Sequence, residues 1–137
     1  MMYRLFPFLL LCFFCACGSS AESQSTDDGA AMVEAATPIY QDLTVAEFAE
    51  RIGGDNTVLL DVRTPGETAR GIIDGAIEMD FRAADFAEQL KTLDPSKTYL
   101  VYCASGGRSG RTAKMLNELG VQEVYNLAGG YTAWSKQ

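Results

Sequence analysis

The run Thr98-Tyr-Leu-Val-Tyr102 is apolar over strand length. It passes directly through Cys103-Ala-Ser-Gly-Gly-Arg-Ser109 into a segment, Ser109 to Gly120, that carries Ala113, Met115, Leu116 and Leu119. A strand without a polar face belongs in the interior of a sheet, and a helix that follows it at once must return over that sheet. The rest of the body repeats the pattern. Ile39 to Leu43 reads as a short first strand. Thr44-Val-Ala-Glu47 is a capping box for a helix with Val45, Phe48, Ala49 and Ile52 on one face, stopped at Gly53-Gly54. Thr57-Val-Leu-Leu-Asp-Val62 is a second buried strand, followed by a loop with a short helix over Thr64 to Arg70. Gly75 to Met79 reads as the third strand, and Ala83 to Leu93 as a helix with Phe86, Leu90 and Leu93 inward. After the central run come a last strand at Val124-Tyr-Asn-Leu127, a turn at Gly129-Gly130 and a terminal helix over Tyr131 to Lys136. This alternation predicts an α/β fold, a central parallel five-stranded sheet with helices on both faces. In such folds ligands lie at the carboxyl ends of the strands, where Asp61-Val-Arg63 and Cys103 both fall.

Cys103 therefore sits at the end of a buried strand and over the start of a helix. Helix-end amides stabilise a thiolate, and Arg108 adds a full positive charge. Gly106 and Gly107 let the backbone curl so that its N–H groups, from Ala104 and Ser105 onward, point inward as an anion-binding nest. A lone strand-end cysteine is ordinarily a packing residue. The attached Gly-Gly-Arg-Ser and helix start make this one the candidate nucleophile.

Composition excludes several other chemistries. The chain has 137 residues, enough for one domain, with a net charge of -7 that disfavours nucleic acid as a partner. It has no histidine, which removes Cys/His dyads, Ser/His/Asp triads and most zinc sites. Cys12, Cys15 and Cys17 crowd the amino-terminal apolar run, so Cys103 has no partner in the body for a disulfide or a dithiol motif.

The first residues read as a secretory signal: Arg4, then an apolar stretch from Leu5 to Ala16 that is too short for a bilayer span of about 20 residues. Phe14-Cys15-Ala16-Cys17-Gly18-Ser19-Ser20 resembles a bacterial lipoprotein box, in which the cysteine (here Cys17) is lipidated and becomes the mature first residue. Phe14 and Cys15 depart from the aliphatic and small residues usual there. The segment also admits cleavage after Ser19-Ser20-Ala21, giving a soluble periplasmic protein, or an uncleaved anchor. The expected organisation is a signal over 1–16, a flexible polar tether over 17–37 and a folded domain over 38–137, exported to the periplasmic side of a bacterial membrane.

The body resembles a single-domain rhodanese, a sulfurtransferase module. Leu60-Asp61-Val62-Arg63-Thr64-Pro65 with Glu67 matches that family's Asp-Val-Arg segment, and Gly71-Ile-Ile-Asp-Gly75-Ala76 matches the segment that usually reads Gly-His-Ile-Pro-Gly-Ala. Cys103 to Ser109 matches the active loop, and Val124 to Gly130 with Trp134 the closing strand, turn and helix. The departures are Ile72 for His, Asp74 for Pro, and Thr68 where an aromatic is common, which is expected to loosen that loop.

The resemblance implies a persulfide shuttle on Cys103. Sulfane sulfur would come from a small anion such as thiosulfate and leave to cyanide or a thiol, with no metal or organic cofactor. Amides from Ala104 through Ser109, including those of Ser105, Gly106 and Gly107, would hold the sulfur anion, and Arg108 would hydrogen-bond an anionic donor. Asp61 is expected to tie adjacent loop amides, and Arg63 to pair with an acid such as Glu67; both roles are structural. Ser109 either donates to sulfur or caps the helix. Trp134 and Tyr131 are expected to anchor the last helix, and Arg111 either extends the positive field or is solvated.

Two other classes compete with an exported sulfurtransferase. One is a phosphatase-like or arsenate-reducing enzyme. Cys103 and Arg108 are separated by four residues, whereas the phosphate cradles of cysteine phosphatases hold one more, a ring wide enough for a tetrahedral oxyanion. The other is a non-catalytic sulfur-carrier or binding module docked to an envelope protein.

Overall fold

The computed structural model describes residues 37–137. The expected signal, nearly all of the expected tether and the lipidation candidate Cys17 lie outside the described residues. Five strands and five helices alternate: β1 (Ile39–Leu43), α1 (Val45–Arg51), β2 (Thr57–Asp61), α2 (Pro65–Thr68), β3 (Ile77–Glu78), α3 (Phe86–Leu90), β4 (Thr98–Tyr102), α4 (Gly107–Glu118), β5 (Glu123–Leu127) and α5 (Gly130–Trp134). The sheet has the order β1-β5-β4-β2-β3, and every pairing is parallel. This is the α/β architecture expected from the alternation.

Residues of β2 and β4 point alternately to the two faces. Leu60, Tyr99 and Val101 meet Phe86, Leu90, Ala113 and Leu116 of α3 and α4 on one side. Leu59, Leu100 and Tyr102 meet Phe48 of α1, with Tyr131 and Trp134 of α5 packed against them, on the other. Phe48 sets its ring edge-on to both Tyr102 and Trp134, so Trp134 anchors the last helix as expected. From β2 the chain moves outward to β3, and from β4 it moves the opposite way to β5, which lies beside the edge strand β1. The reversal lies between β2 and β4, so the loops after Asp61 and Tyr102 flank the crevice where such sheets bind ligands.

Several elements are shorter than their patterns predict. Asp80 accepts from the Arg82 amide (2.8 Å) and closes a turn, and the bonds ending α3 run from Thr92 to Gln89 and from Leu93 to Leu90, so only Phe86–Leu90 is α-helical. β3 pairs only Ile77 and Glu78 as a short edge strand, and the chain beyond it keeps two further bonds to its neighbour, from the Met79 amide to the Asp61 carbonyl (2.8 Å) and from the Phe81 amide to the Val62 carbonyl (3.4 Å). α4 begins at Gly107 rather than Ser109: Gly106, at φ 98°, caps it and accepts from the Gly110 amide at 2.9 Å. Thr68, expected to loosen its loop, is buried and donates to the Pro65 carbonyl at 3.3 Å.

The tightest backbone approach joins α5 to the loop after β4. A Cβ on Gly130, at φ 57°, would overlap the Cys103 carbonyl oxygen and lie 2.6 Å from both the Ala104 carbonyl carbon and the Ser105 amide nitrogen. Gly130→Ala is therefore expected to destabilise by about 3 kcal/mol, from left-handed strain plus a backbone clash. Gly66→Ala, with nothing within 4 Å of the new methyl, should stay within about 0.5 kcal/mol of the parent. Urea midpoints of the two variants check this; equal midpoints would contradict it.

Candidate active site

Cys103 is 1% exposed, immediately after β4. The loop that follows is oriented by α5, whose Tyr131 amide donates to the Cys103 carbonyl (2.7 Å) and whose Thr132 amide donates to the Ala104 carbonyl (3.0 Å). In a planar trans peptide the carbonyl and the following N–H point in opposite directions. Fixing these carbonyls toward α5 therefore turns the Ala104 and Ser105 amides the other way, into the loop. The Gly106 amide donates to Cys103 Sγ at 3.2 Å, and the Ser109 hydroxyl lies 3.4 Å from the same sulfur while also reaching the Gly106 carbonyl (3.1 Å). Burial pushes the Cys103 thiol up, but the Ser109 hydroxyl and the amides of Ser109, Ser105 and Gly106 more than offset it and leave the thiol below its ordinary value. Of the amides expected around the sulfur, those of Ser105, Gly106 and Ser109 act on it, joined by the Ser109 hydroxyl.

The ion pairs differ from expectation. Arg63 does not reach Glu67. Its guanidinium takes both oxygens of Asp61 and donates to the Gly71 carbonyl at 2.8 Å, while Asp61 also accepts from the Arg63 amide at 3.0 Å. The reason is distance along the chain. Asp61 is two residues away on the buried strand end, and Tyr131 stacks its ring 3.9 Å from the Arg63 guanidinium carbon and holds it inward. Asp61 ties a loop amide as predicted, and Tyr131 does more than anchor α5.

Glu67 instead forms a bidentate pair with Arg108, at 2.8 and 2.6 Å. Thr64 steadies the carboxylate through its amide (3.0 Å) and hydroxyl (2.8 Å). Arg108 holds the Glu67 carboxyl far below the usual range, and Glu67, with the Cys103 thiolate behind it, keeps Arg108 protonated. Arg108 is therefore a positive charge held beside the sulfur by Glu67, with its fork already engaged.

Two clefts flank the loop. One, of about 200 Å³, is lined by Arg63, Glu67, Arg70, Ala104, Tyr131 and Thr132. The other, of about 390 Å³, lies across Ser105, Gly106 and Gly107, against Tyr40, Asp42 and Asn126. Arg111 borders the second cleft and stacks 4.9 Å over the Phe81 ring, so it is neither fully solvated nor aimed at the sulfur. Sequence reasoning missed Tyr40, Asp42 and Asn126. The available signal was a lone amide in the otherwise apolar run Val124-Tyr-Asn-Leu127.

The rhodanese-like domain model matches residues 44–137. YtwF of Bacillus subtilis (strain 168) is 38% identical over 95 residues, covering 69% of this chain and 89% of that protein. A sulfurtransferase of Allochromatium vinosum is 30% identical over 82 residues, 60% of this chain and 75% of the relative. Among solved structures, a rhodanese-related protein from Thermoplasma volcanium superposes with a TM-score of 0.62 at 32% identity, covering 71% of this chain and 92% of the other.

Because the Ser109 hydroxyl is a donor to sulfur, Ser109→Ala should raise the midpoint of the pH profile for alkylation of Cys103. The reaction at pH 7 should be about fivefold slower, the equivalent of one hydrogen bond of about 1 kcal/mol. Mass spectrometry of the Cys103 peptide reads this directly, and an unmoved midpoint would assign Ser109 to the helix end alone.

Proposed function

The chain belongs to the rhodanese-like family, which has sulfurtransferases among its relatives here, and on that premise we propose that it moves sulfane sulfur through a persulfide on Cys103. The observation that carries the reading is the set of donors converging on a buried sulfur: the Gly106 amide, the Ser109 hydroxyl and the inward-turned Ser105 amide. The thiolate attacks the outer sulfur of a donor such as thiosulfate. The new S–S bond forms as the donor's own S–S bond breaks, and sulfite leaves with the electron pair. A thiolate or cyanide then attacks the outer sulfur of the persulfide, and the pair returns to Cys103. The negative charge stays beside the same fixed dipoles in both half-reactions, which is what preorganised donors stabilise best. The four-residue spacing and the engagement of Arg108 with Glu67 disfavour binding of a phosphate in its place.

The intact mass of the full-length protein before and after thiosulfate tests the reaction, with Cys103→Ala alongside. A gain of about one sulfur atom, reversed by cyanide and absent in the variant, is expected. No gain, with Cys103 still open to alkylation, would remove thiosulfate as donor, and a persulfide that never turns over with thiols or cyanide would favour a carrier module.

For location, we propose export and lipidation at Cys17, from the apolar run Leu5 to Ala16 and the small residues Ala16, Gly18 and Ser19 around that cysteine. Expression in a bacterial host with labelled fatty acid should label the parent and not Cys17→Ser. Unlabelled parent in the soluble periplasmic fraction would select ordinary signal cleavage.

A further inference from the structure

Ser109 has one hydroxyl proton and two acceptors within reach, Cys103 Sγ at 3.4 Å and the Gly106 carbonyl at 3.1 Å. The carbonyl is the nearer of the two, and an oxygen accepts better than a thiol sulfur. Where the proton goes therefore depends on how fully that carbonyl is occupied by other donors. A carbonyl oxygen has two lone pairs. The Gly110 amide takes one at 2.9 Å as α4 begins, and Asn126 Nδ2 reaches the same oxygen from β5 at 3.3 Å.

Asn126 is a costly residue for this place. It is 4% exposed, and its Oδ1 is buried with no hydrogen-bond partner among the described residues. An apolar residue would pack in this strand without an orphaned oxygen, so packing alone does not account for the amide. Turning the amide over would set Oδ1 against the Gly106 carbonyl and against Asp42 Oδ1, which now accepts from Nδ2 at 2.7 Å. Asp42 on β1 thus fixes the amide with both of its N–H groups engaged, and Tyr40 Oη donates to the same carboxylate oxygen at 3.0 Å. The start of α4 leaves room for this approach: a Cβ on Gly106 or Gly110 would lie 3.7 or 3.5 Å from Nδ2.

We infer that Asn126 is a positioning residue for Cys103: it fills the second lone pair of the Gly106 carbonyl and so leaves the Ser109 hydroxyl proton to the sulfur, with Asp42 holding the amide in the orientation that does this. The inference rests on Cys103 being the reactive sulfur, as the sulfurtransferase reading has it, and names residues that set its ionisation without touching it. Gly106 is the junction, with its N–H on Cys103 Sγ at 3.2 Å and its carbonyl toward Asn126. The titratable and charged groups facing Asn126 are Tyr40 and Asp42 on β1 and Arg111 and Lys114 on α4, all bordering one cleft. Those nearest the sulfur are Arg108, paired with Glu67 of α2, and the mutually paired Asp61 and Arg63 at the end of β2. Of these, the variants below change Asp42 alone.

The test is alkylation of Cys103 in the full-length protein across a range of pH, followed on the Cys103 peptide by mass spectrometry. Asn126→Leu should raise the midpoint and slow the reaction at pH 7 by about fivefold, the loss expected when the Ser109 hydroxyl is withdrawn from the sulfur. Placed in Ser109→Ala, the same substitution should add nothing, because no hydroxyl remains to redirect. Asp42→Ala, at an exposed residue, frees the amide to turn and should also raise the midpoint. Loss of a negative charge by itself would lower it, so the sign separates the two effects. An unmoved midpoint in Asn126→Leu, or shifts that add in the double variant, would make Asn126 a member of β5 only and overturn the inference. An unmoved or lowered midpoint in Asp42→Ala would overturn the part given to Asp42, and would decide the whole if Asn126→Leu does not fold. A protein that shows the expected shifts yet takes no sulfur from thiosulfate would overturn the sulfurtransferase reading and not this one.

Discussion

The chemistry of the site depends on two backbone hydrogen bonds, from the Tyr131 and Thr132 amides to the carbonyls of Cys103 and Ala104. A loop after a buried strand could close with its carbonyls facing the sulfur, which would repel a thiolate. Directing those carbonyls into the first turn of α5 leaves the following amides no choice but the interior. The arrangement works only if α5 comes within backbone contact of the loop, and that is why Gly130 has no room for a side chain. The last helix is short, yet it determines the polarity of the cradle.

Around this core, two ion pairs join segments that the sheet topology brings together. Asp61 and Arg63 form a local, nearly solvent-free clamp that holds the loop after β2 through the Gly71 carbonyl and the Tyr131 ring. Taken out of water, such a pair gains little net stability, and its worth lies in geometry. Glu67 and Arg108 act across a larger separation, from α2 to the Cys103 loop. Arg108 brings positive charge near the sulfur while its fork is held by the Glu67 carboxylate, which Thr64 steadies from the other side.

Most of the fold was legible because the apolar runs are continuous and the breaks are marked by glycine or capping residues. Thr44 to Glu47 and the stop at Gly53-Gly54 behaved as local signals predict. The elements that shortened, α3 and β3, are those where a side-chain turn at Asp80 or an edge position outweighed periodicity. Cys103, Ser105, Gly106 and Ser109 could be placed because they fall within one short run of the chain, so spacing alone defines the ring. The Arg63 partner could not: either acid suited it, and the decision rests on the Tyr131 ring, which arrives from the far end of the chain. The contact of Asn126 with Asp42 was equally invisible, since the two meet only through the pairing of β1 with β5.

The lack of histidine then takes on mechanistic meaning. Every group that stabilises the Cys103 sulfur is an amide, a hydroxyl or an arginine, and none of these changes charge near neutral pH. Glu67, held far down by Arg108, is likewise ionised throughout that range. A thiolate activated by a neighbouring imidazole would share its proton and titrate as a coupled pair. Here the sulfur ionises against a constant background, and its anionic form becomes favoured as the pH rises through a single depressed value. The same constancy would suit the proposed persulfide route, because dipoles that favour the thiolate require no reorganisation to favour a persulfide anion in its place.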